Sequence, residues 1–218
     1  MIKIYIRTTS ERKLDESISR ELGSDYELLI DYEHNSTKAF IESLKKVKGE
    51  DAIFLEDDVI LCRNFKNRIF DVILHNQNNL INFFTFPTLY KFKIATPNQF
   101  CYNQCTYYPK DIIDLMLDYI DKHIDIYKET SPEKVCKRIF TELNILSITY
   151  RPCLVQHIDK GSLMNHNRPF SRRSPYFIDY LEELGIFYEE ANINDNKEKL
   201  IALMKEKFKE IDNEWKAY

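Results

Sequence analysis

Glycine is scarce in this chain: four occur in 218 residues, none of them before Gly23. A glycine-rich phosphate loop after the first strand is therefore missing, which counts against a nucleotidyltransferase. Long apolar runs are missing too. No stretch approaches the roughly 18 to 20 residues of a membrane span, so no stable membrane insertion is expected. The opening MIKIYIRTTSERK has no apolar run long enough for a signal peptide, and a cytoplasmic location is expected. The cysteines (Cys62, Cys101, Cys105, Cys136 and Cys153) are odd in number and scattered, a poor disulfide framework. Only Cys101 and Cys105 are close, and without a second pair at ligand spacing they do not read as a zinc site. Positive charge is not in excess: the net charge of −4 argues against coating nucleic acid by bulk charge, while leaving room for a local basic groove.

What is present suits one ordinary domain with a sizeable core, and the hydrophobic share of 44% is globular. An alternating strand is expected over 2–7, then a helix over 11–22 with Ser10 as cap and Gly23 past its end. A second strand covers 26–32. Asn35-Ser36-Thr37 lead into a helix with Phe40, Leu44 and Val47 on one face. DAIFLEDDVIL then reads as an apolar strand running into three acids. This β-α-β-α-β order predicts an α/β fold with a mostly parallel central sheet flanked by helices. Further on come a helix over 64–75, a buried strand over 81–87 and a possible Tyr- and Phe-rich hairpin within 90–108. A helix from Pro109 and another announced by Ser131-Pro132-Glu133 follow, then the strand SITYRPCLVQHI, interrupted at Pro152. The tail beyond about 177 is amphipathic helix, with Leu200, Leu203, Met204 and Phe208 on one face. The expected division is a catalytic domain over 1–170 and a helical C-terminal extension over 171–218 packed on it.

In open α/β sheets, ligands bind outside the carboxyl ends of the strands, where Glu56, Asp57 and Asp58 are expected. Three adjacent carboxylates repel one another unless neutralised. A hard divalent cation does this while also holding substrate phosphates; a solvated acidic turn is the plainer reading. Almost a hundred residues later His157 ends another apolar strand. A lone histidine there is more often structural, but a neutral imidazole is a competent ligand for Mn²⁺ beside carboxylates.

The segments IFLEDDV, QCTYYPKDIIDLMLDYI and RPCLVQHIDKGS, in that order after IKIYIRTTSER, resemble the GT-A-fold glycosyltransferases. The last resembles the P-s-L-v-Q-H-i-g-x-x-S signature of a small subgroup found in bacteria and their phages. The likeness covers about residues 2–168. Asp159 stands where the signature has glycine, and Gly161 is placed to take over the permissive backbone role. The resemblance implies a GT-A-like sheet and a nucleotide diphosphate sugar donor, with UDP the commonest nucleotide, used with Mn²⁺ or Mg²⁺. Asp58 is the implied direct metal ligand, and His157 completes the protein's share. Glu56 or Asp57 faces the donor ribose or a metal-bound water.

Thr8, Thr9 and Arg12 in the loop after the first strand supply hydroxyls and a guanidinium for the nucleotide, whereas Arg7 reads either this way or as a buried partner of a carboxylate. Asn35 and Lys38, near the start of the second helix, suit base and phosphate recognition. Glu133, in the first turn of its helix, is the implied catalytic base of an inverting transfer, though the helix dipole alone favours an acid there. Lys160, His166, Arg168, Arg172 and Arg173 form a basic run, with Lys160 or Arg168 placed to balance leaving-group charge. The same run also reads as a patch for an anionic acceptor or as a solvated loop. Phe100, Tyr102, Tyr107 and Tyr108 read either as a platform for a sugar or base or as core. The acceptor is a hydroxyl: either a hydroxymethylated pyrimidine in phage DNA, or a bacterial surface glycan. A nucleotide-binding module without catalysis and a phosphohydrolase are the rival classes.

Overall fold

A computed structural model describes residues 2–85, 94–100, 103–158 and 173–215, with side chains throughout except at Glu190 and 210–215. The elements in chain order are β1 (Lys3–Thr8), α1 (Glu16–Leu22), β2 (Glu27–Ile30), α2 (Ser36–Lys46), β3 (Ala52–Glu56), β4 (Val59–Leu61), α3 (Phe65–Leu74) and β5 (Leu80–Asn82). They continue through β6 (Ile94–Ala95), β7 (Cys105–Tyr108), α4 (Lys110–Lys122), α5 (Pro132–Leu143), β8 (Ser147–Thr149), β9 (Val155–His157), α6 (Ile178–Glu183), α7 (Glu190–Asp195) and α8 (Lys197–Trp215).

Among the described residues, seven strands form one sheet in the order β2-β1-β3-β7-β5-β8-β6. β1 pairs parallel with β2 and β3, and β5 with β8. β7 runs against β3 and β5, and β6 against β8. The fold is thus α/β around a mixed but mostly parallel sheet. β4 and β9 form a separate antiparallel pair. The apolar run DAIFLEDDVIL is therefore divided into β3 and β4, and SITYRPCLVQHI, with its expected interruption at Pro152, into β8 and β9. The expected pairing within 90–108 does not occur between β6 and β7, which pair with other strands; 86–93 and 101–102 lie outside the described residues.

Strand alternation sorts side chains to two faces. Ile4, Ile6, Ile53, Leu55 and Tyr107 join Ile18, Leu22, Phe65 and Ile69 in one cluster. Tyr5, Phe54 and Tyr108 join Phe40, Leu44, Met116, Ile120, Ile139 and Phe140 in the other. Residues from Tyr176 to Leu200 belong to the first cluster, anchored where Cys153 N donates to Tyr176 O (2.8 Å) and Ile178 N to Cys153 O (3.0 Å). Arg173 is 5% exposed and stacks its guanidinium 3.6 Å from the centre of the Phe208 ring. It is a core cation–π contact and not part of an exposed basic run.

Helix starts follow local chemistry. Asp15, not Ser10, caps α1 by accepting from Ser17 N (2.8 Å), so residues 9–14 stay out of the helix. Gly23, at φ 60°, closes it, a conformation glycine adopts without strain. Ser131 and Pro132 start α5 as expected, with Ser131 Oγ accepting from Lys134 N (3.4 Å).

The Phe54 ring lies 5.5 Å from Tyr108, 6.0 Å from Tyr5 and 6.4 Å from Phe40 between centroids. Phe54→Ala is expected to cost about 3–5 kcal/mol, read from urea unfolding at unchanged slope. A loss under about 1 kcal/mol would mean this ring cluster does not hold that face of the sheet.

Candidate functional site

The carboxyl ends of β1, β2 and β3 open on a cleft of about 580 Å³. Thr8, Thr9 and Arg12 line it from the loop after β1, Glu56, Asp57 and Asp58 from the end of β3, and Glu133 from the start of α5. Seven of the residues singled out in the sequence thus share one cavity, as the carboxyl-end rule for open sheets requires.

Three basic side chains meet the acids of the triplet. Arg7 Nη2 lies 2.5 Å from Glu56 Oε1 and also donates to Asn103 O at 3.3 Å, so Arg7 is the buried carboxylate partner. Arg12 Nη1 donates to Asp57 Oδ1 at 2.8 Å and lies 3.6 Å from Asp58 Oδ2. His157 Nε2 lies 3.2 Å from the same Asp58 oxygen. Burial pushes the Glu56 carboxyl up to about 8, with Arg7 opposing the shift and Asp58, Glu133 and Asp57 adding to it. The 2.5 Å contact and the 30% of its side chain left exposed favour the ionised pair with Arg7 over a neutral acid. Burial also disfavours the charge on Arg12, but Asp57 and Asp58 outweigh it and raise its pKa.

The meeting of Asp58 with His157 is built by the small ladder. Val59 pairs with His157 and Leu61 with Val155, and Ile158 N donates to Asp58 O at 2.7 Å. His157 is 2% exposed, and neither ring nitrogen makes a hydrogen bond among the described residues. His157 Nε2 and Asp58 Oδ2 therefore approach closely without hydrogen-bond alignment. Adjacent ligands of an octahedral ion with bonds of about 2.1 Å lie about 3 Å apart, so the pair fits one hard cation. Among the described residues no group of three or more His, Cys, Asp or Glu side chains is set for a metal. A fitting ion would therefore take its remaining ligands from phosphate and water, as Mg²⁺ commonly does.

Other expectations fall elsewhere. Asn35 Oδ1 accepts from Lys38 N (3.0 Å) as the cap of α2, and Lys38 Nζ pairs with Glu33 on the surface (2.7 Å). Neither lines the cleft; their neighbours His34 and Ser36 do. Phe100, Tyr107 and Tyr108 are at most 1% exposed and belong to the core, not to a stacking platform. Lys160, His166, Arg168, Arg172, Tyr102, Asp159 and Gly161 lie outside the described residues.

The cleft also holds residues not expected there from sequence: Leu29 and Asp31 at the end of β2, Gln104 before β7, and Thr130 and the α5 cap Ser131. Asp31 was hidden by reading its strand two residues too long; the carboxyl-end rule applied to Ile30 would have reached it. Gln104 opens the segment QCTYYPKDIIDLMLDYI, but its place in the cleft depends on β7 inserting beside β3. No family model matches the chain, and no curated protein is detectably similar to it.

Removing Arg7 leaves the Glu56 carboxylate without its close cation. Arg7→Met is expected to cost about 1–3 kcal/mol at neutral pH, with at least half recovered when Glu56→Gln is added. Denaturant unfolding of the four-member cycle reads the coupling; purely additive effects would show that the pair is not an energetic unit.

Proposed function

We propose that this protein is a metal-dependent glycosyltransferase that moves a sugar from a nucleotide diphosphate sugar, a UDP-sugar, to a hydroxyl acceptor. The observation that carries this reading is the convergence of Asp58 and His157, 99 positions apart, at 3.2 Å on the edge of a cleft that also contains Arg7, Arg12 and Glu133. A solvated acidic turn gives no reason for a buried imidazole to be held against Asp58. The resemblance of IFLEDDV and RPCLVQHIDKGS to GT-A-fold glycosyltransferases supports the same assignment.

In this reading Asp58 and His157 hold Mn²⁺ or Mg²⁺. When bound, the ion neutralises charge on the diphosphate leaving group. The chain's own residues do the rest. Leu29 offers the nucleoside an apolar wall, and Asp31 accepts hydrogen bonds from base or ribose. The Thr8 and Thr9 hydroxyls and the Arg12 guanidinium face the polar part of the nucleotide. Arg12 exchanges part of its contact with the acids for phosphate when the donor enters. Arg7 stays on Glu56, keeping that carboxylate fixed at the end of β3. Glu133 has no ion pair or hydrogen bond to its carboxylate among the described residues, and it is the acid free to take the proton of the acceptor hydroxyl.

Incubation with Mn²⁺ and a panel of nucleotide sugars is expected to release one nucleoside diphosphate in a donor-specific way. Release should fall at least 100-fold in Asp58→Ala, and Mn²⁺ affinity at least tenfold in His157→Ala. Sugar appearing on hydroxymethylated DNA or on a glycan identifies the acceptor. Release with free sugar as the only product on every acceptor would favour a hydrolase, and nucleotide binding without any release an inactive module.

Glu133→Gln keeps size and hydrogen bonding but removes the base. It is expected to lower kcat by about 10²–10⁴-fold with donor affinity unchanged. Full activity in this variant would remove Glu133 from the chemistry and point to a retaining course.

A further inference from the structure

Gln104 occupies an unusual position for a neutral side chain. It is 3% exposed, yet it lines the cleft, and its buried amide oxygen has no hydrogen-bond partner among the described residues. Its backbone is fixed, because Gln104 O accepts from Glu56 N at 3.0 Å. A buried amide left unsatisfied costs stability. A buried amide oxygen without a partner in the lining of a cavity is suited to a ligand that supplies one.

The order of the strands indicates which part of the ligand this is. Across the sheet the order runs β2, β1, β3, β7, and the cleft residues follow it: Asp31 after β2, Thr8 and Thr9 at the end of β1, the acidic triplet after β3, and Gln104 before β7. Glu133 lines the cleft from the start of α5. A ligand with its nucleoside over β2 and β1 and its diphosphate at the triplet carries the group beyond the diphosphate to Gln104. For a nucleotide sugar that group is the hexose or pentose ring, whose hydroxyls both donate and accept hydrogen bonds.

We propose that Gln104 is a specificity-determining residue that hydrogen-bonds a hydroxyl of the sugar being transferred. This rests on the glycosyltransferase reading above. A site built around a buried amide discriminates against a sugar lacking the matching hydroxyl or presenting it in the other configuration, because the amide is then left unpaired. Gln104 acts on the choice and seating of the sugar and takes no part in proton transfer.

The test compares wild type with Gln104→Met, which keeps the length and removes the polar atoms. Calorimetric titration uses UDP, UDP-glucose, UDP-galactose and UDP-N-acetylglucosamine with Mn²⁺. The substitution is expected to weaken the tightest UDP-sugar about 10- to 100-fold, change UDP affinity by less than about threefold, and narrow the spread among the three sugars. The melting temperature without ligand should hold or rise, since an unsatisfied buried amide is removed. Gln104→Leu replaces it where Gln104→Met melts lower than wild type. Equal weakening of UDP and UDP-sugars would place Gln104 against the nucleotide and overturn the proposal, as would unchanged affinity for all four. Failure of wild-type protein to bind any of the four would instead overturn the glycosyltransferase reading, and this inference with it.

Discussion

Three consecutive carboxylates at the end of a buried strand are the constraint on which this structure turns. Like charges roughly 6 Å apart repel by about 3 kcal/mol at an effective dielectric of about 20, so Glu56, Asp57 and Asp58 cannot stand together unanswered. The fold brings three basic side chains to them from different parts of the chain: Arg7 from β1, Arg12 from the loop after it, which reaches both Asp57 and Asp58, and His157 from β9. The partners differ in kind. The two guanidiniums are always charged and make close contacts of 2.5 and 2.8 Å. The imidazole nitrogens make no hydrogen bond among the described residues. Glu56 and Asp57 each make one close guanidinium contact, while Asp58 meets Arg12 at 3.6 Å and His157 at 3.2 Å.

The same constraint explains why residues 9–14 are not helical. A helix from Ser10 would carry Arg12 along its surface. Capping by Asp15 instead leaves the loop open, and Arg12 reaches Asp57. The cleft thus gains two threonines and a guanidinium from this loop without any glycine in it.

The parts legible in the sequence were those set by local chemistry. The acid run at a strand's carboxyl end, the Ser131-Pro132 helix start, the Asn35 region before α2 and the buried alternation of β1 all depend on neighbours within a few positions. Parts that depend on pairing were illegible. DAIFLEDDVIL is one apolar run by pattern, and only the partnership of Val59 with His157 shows that it crosses from one sheet to another. Gln104 becomes a cleft residue because β7 lies against β3, a non-local choice that composition does not encode. Asn35 and Lys38 lie outside the cleft lining, and a cap and a helix-start lysine look the same from sequence whether they serve a ligand or the helix itself.

The β4–β9 ladder joins folding to the site more tightly than any other element. Side chains alternate along a strand, so a slip of one residue in this register would turn His157 to the opposite face and bring Gln156 toward Asp58. The register is secured on both sides: Ile158 N on Asp58 O at one end, and at the other the Gln156 amide, which donates to Ser174 O (2.6 Å) and accepts from Ser174 N (2.8 Å). Ser174 leads into Tyr176 and Phe177, which sit in the same core cluster as the first strand. The geometry at Asp58 therefore reports on packing that reaches the C-terminal helices. By linkage, a ligand that binds only the assembled pair stabilises the whole of that packing.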